Sequence, residues 1–293
     1  MHMQHSRRQH LPRISLPAFA LGRRAVRAAA LAVLLVATVP ATIVADAADA
    51  PDPLSAQIAS PHRAESNRVR DAYRHPQETL QFFGVREDQT LVEIWPGGSA
   101  WWTEILAPHL QAKGRYIAAV PPEQGASEEA LRGNRTLAGK LASDPSRYGK
   151  VVVASFPAQD IVPPGTADLV LSFRNLHNWL TTNTADEAFA TFYRALKRGG
   201  TLGIEDHRAR LDESADAQLK KGYVREDEAV RLAEKAGFKL VARSTVNDNP
   251  KDTKDYAEGV WTLPPTYRLK EQDRARYSAI GESDRFTLKF VKP

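Results

Sequence analysis

Two groups of polar residues in the sequence have the composition of an acid–base site. Arg174, Asn175 and His177 follow one apolar run directly, and Asp206 and His207 follow another. A carboxylate next to a histidine can orient the imidazole and support its role as a general base, which accepts a proton from a reacting group. The sequence therefore suggests His177 or His207 as a base, with Asp206 orienting the imidazole.

Structural roles for these residues are the alternative. His177 could cap the end of its strand, and Asp206 could pair with Arg208. A metal site would combine His177, Asp206 and His207 with Glu205. Because Glu205 and Asp206 are neighbours on a strand, however, their side chains point to opposite faces of the sheet. We therefore expect no metal here.

A glycine loop follows the first apolar run, in the segment Glu93-Ile94-Trp95-Pro96-Gly97-Gly98-Ser99. Two adjacent glycines let the backbone approach a ligand closely. A helix beginning near Ala100 would present free amide groups to a carboxylate or phosphate. This loop is a second candidate site, although a plain turn between a strand and a helix would have a similar sequence.

The elements that must position these residues are visible as an alternation of apolar runs with helix-period segments. The runs cover residues 90–95, 115–120, 151–156, 167–173 and 201–205. Four of them are apolar almost throughout, as strands covered on both faces are. The sequence predicts an α/β fold with a mostly parallel, doubly wound sheet. Ligands of such sheets bind outside the carboxyl ends of the strands, where the candidate residues lie.

Local signals place several helices and a last strand. Thr184 and Glu187 have the spacing of a capping box, and Gly199-Gly200 could end the helix that follows. Residues 226–236 repeat the helical pattern. Apolar and polar residues alternate over 286–290, which predicts an antiparallel edge strand paired with residues 238–244.

The chain divides into an N-terminal leader, a helical extension and an α/β domain. Residues 1–47 are predicted to be a signal peptide. Residues 48–84 form the extension, with helices over 63–74 and 76–83, and residues 85–293 form the domain. Residues 245–285 show little periodicity but contain Trp261, Leu263 and Tyr267, so we expect a packed, lid-like insertion.

The leader has a basic stretch, an apolar run over residues 28–45 and small residues suited to cleavage after Ala47. This layout predicts an exported protein, periplasmic or secreted, with no membrane span after cleavage. The alternative is an uncleaved anchor. Arg23-Arg24 also permits the twin-arginine route, which exports folded proteins.

Charge and cysteine content exclude several classes of function. The whole chain has 40 Lys and Arg against 35 Asp and Glu, but residues 1–47 account for six of the arginines and one acid. The remainder is formally neutral, so we expect no nucleic-acid partner. The absence of cysteine excludes disulfides, thiolate zinc sites and a cysteine nucleophile.

Three segments resemble class I S-adenosylmethionine-dependent methyltransferases. Residues 93–98 are similar to the first motif of that family, residues 167–179 to its fourth-strand motif, and residues 193–202 to the helix and strand that follow. More narrowly, the leader and residues 93–108, 174–179, 206–209, 249–256 and 282–285 resemble an exported branch of predicted methyltransferases. The resemblance covers nearly all of residues 63–293.

The resemblance implies a Rossmann-like methyltransferase fold and S-adenosylmethionine as cofactor. Glu93 would receive the ammonium group of the methionine moiety, and amides near Gly97 and Gly98 would approach its carboxylate. Trp95 and Ser99 replace two of the usual glycines. The implied cofactor-binding set is Glu93, Trp95, Pro96, Gly97, Gly98, Ser99, Glu123, Asp160, Arg174 and Asn175.

Glu123 and Asp160 enter this set as substitutes for acidic residues that the family commonly has. The second predicted strand ends in Val120-Pro121-Pro122, without the carboxylate that would hold the ribose hydroxyls, and Glu123 is the nearest acid. Pro157 stands where an acid would bind the adenine amino group, and Asp160 follows three residues later.

The sequence therefore favours methyl transfer to a small molecule or an envelope component, with His177, Asp206 and His207 as the catalytic group. A non-catalytic, exported small-ligand-binding protein on the same scaffold is the alternative. Supply of the cofactor separates the two, because charged S-adenosylmethionine does not cross a membrane unaided.

Overall fold

The structure, a computed structural model, describes residues 52–293, so the predicted signal peptide lies outside the described residues. One sheet of seven strands forms the centre of this part of the chain. Its strands are β1 (Thr90–Ile94), β2 (Arg115–Val120), β3 (Val152–Ser155), β4 (Ala167–Phe173), β5 (Leu196–His207), β6 (Lys239–Ser244) and β7 (Arg285–Val291). Their order across the sheet is β3-β2-β1-β4-β5-β7-β6.

The direction of the strands confirms the predicted fold class. Strands β1 to β5 pair in parallel with their neighbours, whereas β7 runs antiparallel to both β5 and β6. The predicted antiparallel pairing of the last strand with residues 238–244 is therefore confirmed. Strand β7 lies inside the sheet, however, and β6 forms the edge.

The alternation that suggested an edge position for β7 has another cause. Phe286, Leu288 and Phe290 pack into the core on one face. On the other face Arg285 and Thr287 are each 1% exposed. The polar positions of β7 therefore face a buried polar layer, which a pattern of apolar and polar residues cannot distinguish from solvent.

Helices cover both faces of the sheet. In the described range they are α1 (Pro53–Ile58), α2 (Glu65–Arg68), α3 (Asp71–Arg74), α4 (Pro76–Phe83), α5 (Thr103–Leu110), α6 (Glu128–Ser143), α7 (Pro145–Tyr148), α8 (Leu176–Thr181), α9 (Ala185–Ala195), α10 (Ala215–Lys220), α11 (Glu226–Lys235) and α12 (Arg274–Ile280). Helices α8, α9 and α11 pack on one face, and α1, α4 and α5 on the other. No helix within residues 52–293 has the length and hydrophobicity to cross a membrane.

Three local predictions differ from the structure. The helix predicted over residues 63–74 is divided into α2 and α3. Thr184 precedes α9, but its hydroxyl lies 2.9 Å from the Thr182 hydroxyl and does not cap the helix. Gly199 and Gly200 lie inside β5, since the helix already ends at Ala195. Gly199 does have the predicted left-handed backbone, with a φ of 75°, but it lies in an irregular part of β5, between the paired residues Leu196 and Thr201.

The N-terminal helices are fixed to the turn that follows β1. The Trp101 indole donates to the Asn67 carbonyl oxygen at 2.8 Å, and the Asn67 amide donates to the Ser99 carbonyl oxygen and the Glu104 carboxylate, each at 2.9 Å. Arg63 pairs with Asp71 at 2.6 Å and lies over the Trp101 ring. The extension is therefore bound directly to the predicted glycine loop.

Residues 245–285 form packed structure with little regular secondary structure. They contain a 3-10 turn at Gly259–Thr262 and helix α12. Tyr256, Leu263 and Tyr277 pack together, and the Asn249 amide donates to the carbonyl oxygens of Ile280 and Glu282 at 2.9 and 2.6 Å. Whether this segment acts as a lid stays a prediction.

Candidate functional site

A large cavity opens at the carboxyl ends of β1 to β4. Its volume is about 990 Å³, at the upper end of the range for small-molecule sites. The loops after four strands and the first turns of α6 and α9 contribute to its walls, together with part of residues 245–285. The residues that line the cavity include Trp95, Gly97, Gly98, Glu129, Phe156, Asn175, His177, Trp179, Glu187 and Trp261.

Trp95 forms a wall of this cavity. Its backbone has a positive φ of 48°, and its amide donates to the Ala119 carbonyl oxygen at 2.8 Å. The indole donates to the Phe156 carbonyl oxygen at 2.8 Å and packs edge-on against Phe156 and Trp179. These contacts hold the ring at the side of the cavity, where a ligand ring could stack on it.

The two glycines of the loop meet different requirements. Gly97 has a φ of 70°, which other residues rarely adopt, and a Cβ atom there would have no neighbour within 4 Å. A Cβ atom on Gly98 would lie 3.2 Å from the Gly133 Cα atom and 3.3 Å from the Thr136 Cβ atom. Gly97 is therefore required by the left-handed backbone of the turn, which borders open space. Gly98 is required because α6 packs closely against the loop.

Gly98→Val should destabilise the protein by about 1–3 kcal/mol, because α6 would have to move away from the loop. The free energy of unfolding in urea measures this effect. Gly139→Val is the matched control, since a Cβ atom at Gly139 in the same helix meets nothing within 4 Å. Equal stabilities for the two variants would contradict the close packing of Gly98 against Gly133.

The helix start expected near Ala100 is displaced. Helix α5 begins at Thr103, and neither Pro96 nor Ser99 lines the cavity. The first turn of α6 lies there instead, through Ser127, Glu129 and Ala130. The Ser127 hydroxyl accepts from the Ala130 amide at 3.2 Å and caps this 16-residue helix. The helix N-terminus that borders the cavity is therefore that of α6 and not that of α5.

Glu93 is turned away from the cavity. It is 2% exposed, and its carboxylate accepts hydrogen bonds from the Tyr116 hydroxyl and, at 3.3 Å, from the Thr103 hydroxyl. Burial raises the pKa of Glu93 to about 7, against the opposing effect of these hydrogen bonds. In this position the Glu93 carboxylate links β1 to Tyr116 on β2 and to Thr103 on α5 by hydrogen bonds. It does not line the cavity as the resemblance implied.

The raised pKa predicts how Glu93 affects stability as the pH changes. Folding favours the protonated form of Glu93, so its stabilising contribution is present below about pH 4.5 and is lost as the pH rises through about 7. Between pH 4 and pH 8, the free energy of unfolding of Glu93→Gln should therefore increase by about 3 kcal/mol relative to that of the wild type. Urea unfolding at both pH values measures this gain. The same difference in stability between variant and wild type at both pH values would contradict the assigned pKa. Glu123→Gln, which alters an exposed acid, is the control and should show no such change with pH.

Two further predicted cofactor ligands do not reach the cavity. Glu123 borders a separate groove beside β3, and Asp160 is 40% exposed on its side chain and lies 3.7 Å from Arg194. The acids that do line the cavity are Glu129 and Glu187, in the first turns of α6 and α9. Glu129 was not predicted; the signal that could have identified it is the serine-capped helix start at Ser127, after β2.

Asn175 and Arg174, which follow β4, point to different places. The Asn175 amide donates to the Ile94 carbonyl oxygen at 2.8 Å and lines the cavity. Arg174 has a φ of 59° and does not line it. The left-handed backbone of Arg174 directs its side chain toward the N-terminal helices, where Arg70, Glu282 and their neighbours perturb its pKa.

His177 and Asp206 form the predicted pair. Asp206 is fully buried; its Oδ1 atom lies 3.0 Å from the His177 Nδ1 atom and accepts from the His207 amide at 2.7 Å. Its Oδ2 atom accepts from the His177 amide at 3.2 Å. Both carboxylate oxygens already accept backbone N–H groups, so the contact with the ring is best made with the His177 proton on Nδ1, which leaves Nε2 as the acceptor. Because His177 lines the cavity, its ring is a candidate general base.

His207 lies behind this pair. Its Nδ1 atom is 2.5 Å from the Ser283 hydroxyl, and its ring centre is 5.4 Å from that of His177. Burial, His177 and nearby arginines hold the pKa of His207 well below its ordinary value, so the ring is neutral. It does not line the cavity, which makes it a supporting residue in this structure.

The structural alternatives for Asp206 do not describe its contacts. Arg208 pairs with Glu226, with Asp248 at 2.5 Å and with Asp284 at 3.4 Å, and so does not pair with Asp206. Ligand atoms of His177, Asp206 and His207 lie within 4.8 Å of one another. Both oxygens of Asp206 already accept N–H groups, however, which favours an orienting role over metal coordination.

The aromatic side of the cavity was only partly predictable. Trp261, expected as a packing residue, has its ring centre 6.2 Å from that of His177. The Arg268 guanidinium lies 4.5 Å from the centre of the Trp261 ring. Both residues belong to the segment 245–285, so this segment closes one side of the site.

The chain is similar to several solved structures. A SAM-dependent methyltransferase from Aquifex aeolicus is 16% identical over 83% of this chain and 99% of its own, with a TM-score of 0.51. An arsenic(III) S-adenosylmethionine methyltransferase from Chlamydomonas reinhardtii is 14% identical over 83% and 74%, with a TM-score of 0.47. An S-adenosylmethionine-dependent methyltransferase from Mesorhizobium loti is 13% identical over 75% and 99%, with a TM-score of 0.47.

Comparison of the sequence alone gives no match: no family model and no curated protein matches the chain. At 16% identity the likeness to the Aquifex aeolicus protein concerns the fold. Residues 52–293 thus adopt the Rossmann-like fold also found in S-adenosylmethionine-dependent methyltransferases.

Proposed function

We propose that the protein transfers a methyl group from S-adenosylmethionine to a small molecule bound in the cavity at the strand ends. The observation that carries this proposal is the position of His177, which lines the cavity while Asp206 fixes its tautomer. Such an arrangement suits an acceptor that must lose a proton, such as a hydroxyl group.

The cavity suits S-adenosylmethionine in volume and lining. About 990 Å³ is sufficient for a molecule of this size. Gly97 leaves open space beside the backbone, and the rings of Trp95, Phe156 and Trp179 provide a surface for a flat base. Glu129 could accept hydrogen bonds from ribose hydroxyls, in place of the missing acid at the end of β2.

The cofactor would supply an electrophilic methyl group, and the chain would align and deprotonate the acceptor. His177 would take the acceptor proton at Nε2, and Asp206 would stabilise the resulting charge on the ring. Asn175 is fixed to β1 and could orient a polar group between the loop and His177. Trp261 and Arg268 would limit access of water from the side of residues 245–285.

A non-catalytic ligand-binding protein is the second candidate. The observation that favours it is Glu93, whose carboxylate is engaged with Tyr116 and Thr103 instead of facing the cavity. In that case the same aromatic walls would hold a nucleoside-like or amphiphilic ligand without methyl transfer.

Calorimetric titration with S-adenosylmethionine and S-adenosylhomocysteine tests the proposal. The intact protein should bind both, and Gly97→Val should lose affinity at least about tenfold because the side chain would enter the open space. Gly165→Val is the matched control: Gly165 has a φ of 72° and open space around its Cβ position, but it does not line the cavity. No binding by the intact protein would favour the second candidate.

The place of action is a separate proposal. The leader of residues 1–47 supports export, and the acceptor would then be a periplasmic, secreted or envelope-derived small molecule. Sequencing the N-terminus of protein isolated from the envelope should give Ala48 as the first residue. A retained leader would indicate an anchored protein.

A further inference from the structure

A buried cluster of charged residues lies between the sheet and the N-terminal helices. We call it the arginine cluster; its members are Arg70, Arg74, Arg174, Arg285, Glu205 and Glu282. Glu282 lies 2.7 Å from the Arg70 Nε atom, 3.1 Å from the Arg74 Nε atom and 3.5 Å from the Arg285 Nη1 atom. Glu205 lies 2.5 Å from the Arg285 Nε atom.

The cluster contains more positive than negative charge. Four guanidinium groups share two carboxylates, and Arg74, Arg285, Glu205 and Glu282 are each at most 4% exposed. Glu93 is a further carboxylate near Arg74, but burial raises its pKa to about 7, so it does not carry a full charge at neutral pH. Uncompensated charge in a buried place is costly, and an anion would relieve that cost.

Several donors of the cluster have no partner among residues 52–293. The Nη2 atoms of Arg70 and Arg74 are buried without a hydrogen bond. Arg174 is only half-buried, and within the described chain its guanidinium forms neither an ion pair nor a side-chain hydrogen bond. Burial and the neighbouring arginines lower the pKa of Arg74 and Arg174. Unpaired donors are therefore present on Arg70 and Arg74 inside the cluster and on Arg174 at its end, where the side chain is partly accessible to solvent.

This end of the cluster adjoins the candidate acid–base group. The Arg174 amide donates to the Glu205 carbonyl oxygen at 2.7 Å, and Asn175, the next residue, lines the cavity. Arg285 is paired in register with His207, whose ring is next to that of His177. Arg174 is also close enough to His207 for its charge to help lower the pKa of that ring, so a ligand that contacts Arg174 would lie near His207, behind the His177 ring that lines the cavity.

We propose that the arginine cluster binds a carboxylate or phosphate group of the methyl acceptor, which is therefore an acidic small molecule. The assignment to the acceptor rests on the proposed function. Guanidinium groups present paired N–H donors that match the oxygens of such anions, and several of them are free here. The anion would be held at Arg174, while the group to be methylated faces His177.

Inorganic phosphate is the probe for this site. Phosphate at about ten times its Kd should raise the melting temperature of the wild-type protein by about 3–5 °C, relative to sodium chloride of the same ionic strength. Arg174→Gln should lose this increase. Arg198→Gln should retain it, because Arg198 is an exposed arginine near the opposite end of β5.

Stability without phosphate provides a second readout. Arg174→Gln removes a charge that other arginines repel, so its melting temperature in chloride should be higher than that of wild type by about 2–4 °C. Arg174→Lys retains the charge and should recover part of the response to phosphate. The proposed anion site would be overturned if phosphate did not raise the melting temperature of the wild-type protein. It would also be overturned if phosphate raised the melting temperature of Arg174→Gln as much as that of the wild type.

S-adenosylhomocysteine separates the possible sources of the anion. If the anion belongs to the acceptor, Arg174→Gln should bind S-adenosylhomocysteine as wild type does. A parallel loss of S-adenosylhomocysteine affinity would mean that Arg174 holds the cofactor's own carboxylate, which overturns the assignment to the acceptor. If wild type binds phosphate but not S-adenosylhomocysteine, the methyl-transfer proposal fails while the anion site stands.

Discussion

Asp206→Asn should lower kcat for methyl transfer by about 10²–10⁴-fold. The Asp206 carboxylate accepts N–H groups from His177 twice and from His207 once. An asparagine would place an NH₂ group against some of these donors. The His177 ring would then accept at Nδ1 and carry its proton on Nε2, where it could not act as a base.

Transfer of a labelled methyl group to small acidic acceptors measures this effect, and the ¹⁵N shifts of the His177 ring report the tautomer without any activity. Wild type should carry the ring proton on Nδ1, and the variant should not. Asp248→Asn is a suitable control, because Asp248 pairs with Arg208 at the same end of the sheet but outside the cavity lining. Wild-type turnover in Asp206→Asn would exclude His177 as the base.

Glu282→Gln should reduce the free energy of unfolding by about 3–5 kcal/mol, which is the usual cost of breaking a buried ion cluster from one side. Glu282 is 3% exposed and is paired with Arg70, Arg74 and Arg285. Without its charge, those guanidinium groups would remain buried with only Glu205 to compensate them. Urea unfolding at neutral pH measures the difference.

The contribution of Glu282 should depend on pH. Burial alone would raise the pKa of Glu282, but Arg74 and the other arginines hold it well below its usual range. Its stabilising effect is therefore present above about pH 4.5 and is lost as the pH falls toward the lower pKa of the folded state. Glu258→Gln, which alters a 44% exposed side chain near Arg268, should cost less than about 1 kcal/mol. Similar costs for both variants would contradict the buried cluster.

The parts of the fold that follow from hydrophobic pattern were predictable from the sequence. Apolar runs identified β1, β2, β4 and β5 because these strands are covered on both faces. Strand β3 is different: Val152 and Val153 are 42% and 55% exposed, because β3 forms an edge of the sheet. Sequence pattern does not distinguish an apolar edge strand from a buried one.

The acid–base pair was predictable because topology alone brings the ends of β4 and β5 together. The direction of individual side chains was not. Glu93 fits the family motif in sequence, yet its carboxylate accepts a hydrogen bond from Tyr116 on the neighbouring strand and does not face the cavity. The arginine cluster depends on residues more than 200 positions apart in the chain, such as Arg70 and Glu282, so no local signal could identify it.

A crystal structure of the protein with S-adenosylhomocysteine tests the central claim most directly. We predict that the ligand occupies the space bordered by Trp95, Gly97 and Glu129, with its sulfur atom directed toward the His177 side of the cavity. A ligand bound elsewhere, or an indole of Trp95 that fills this space when crystals are grown with saturating ligand, would contradict the proposed methyl transfer.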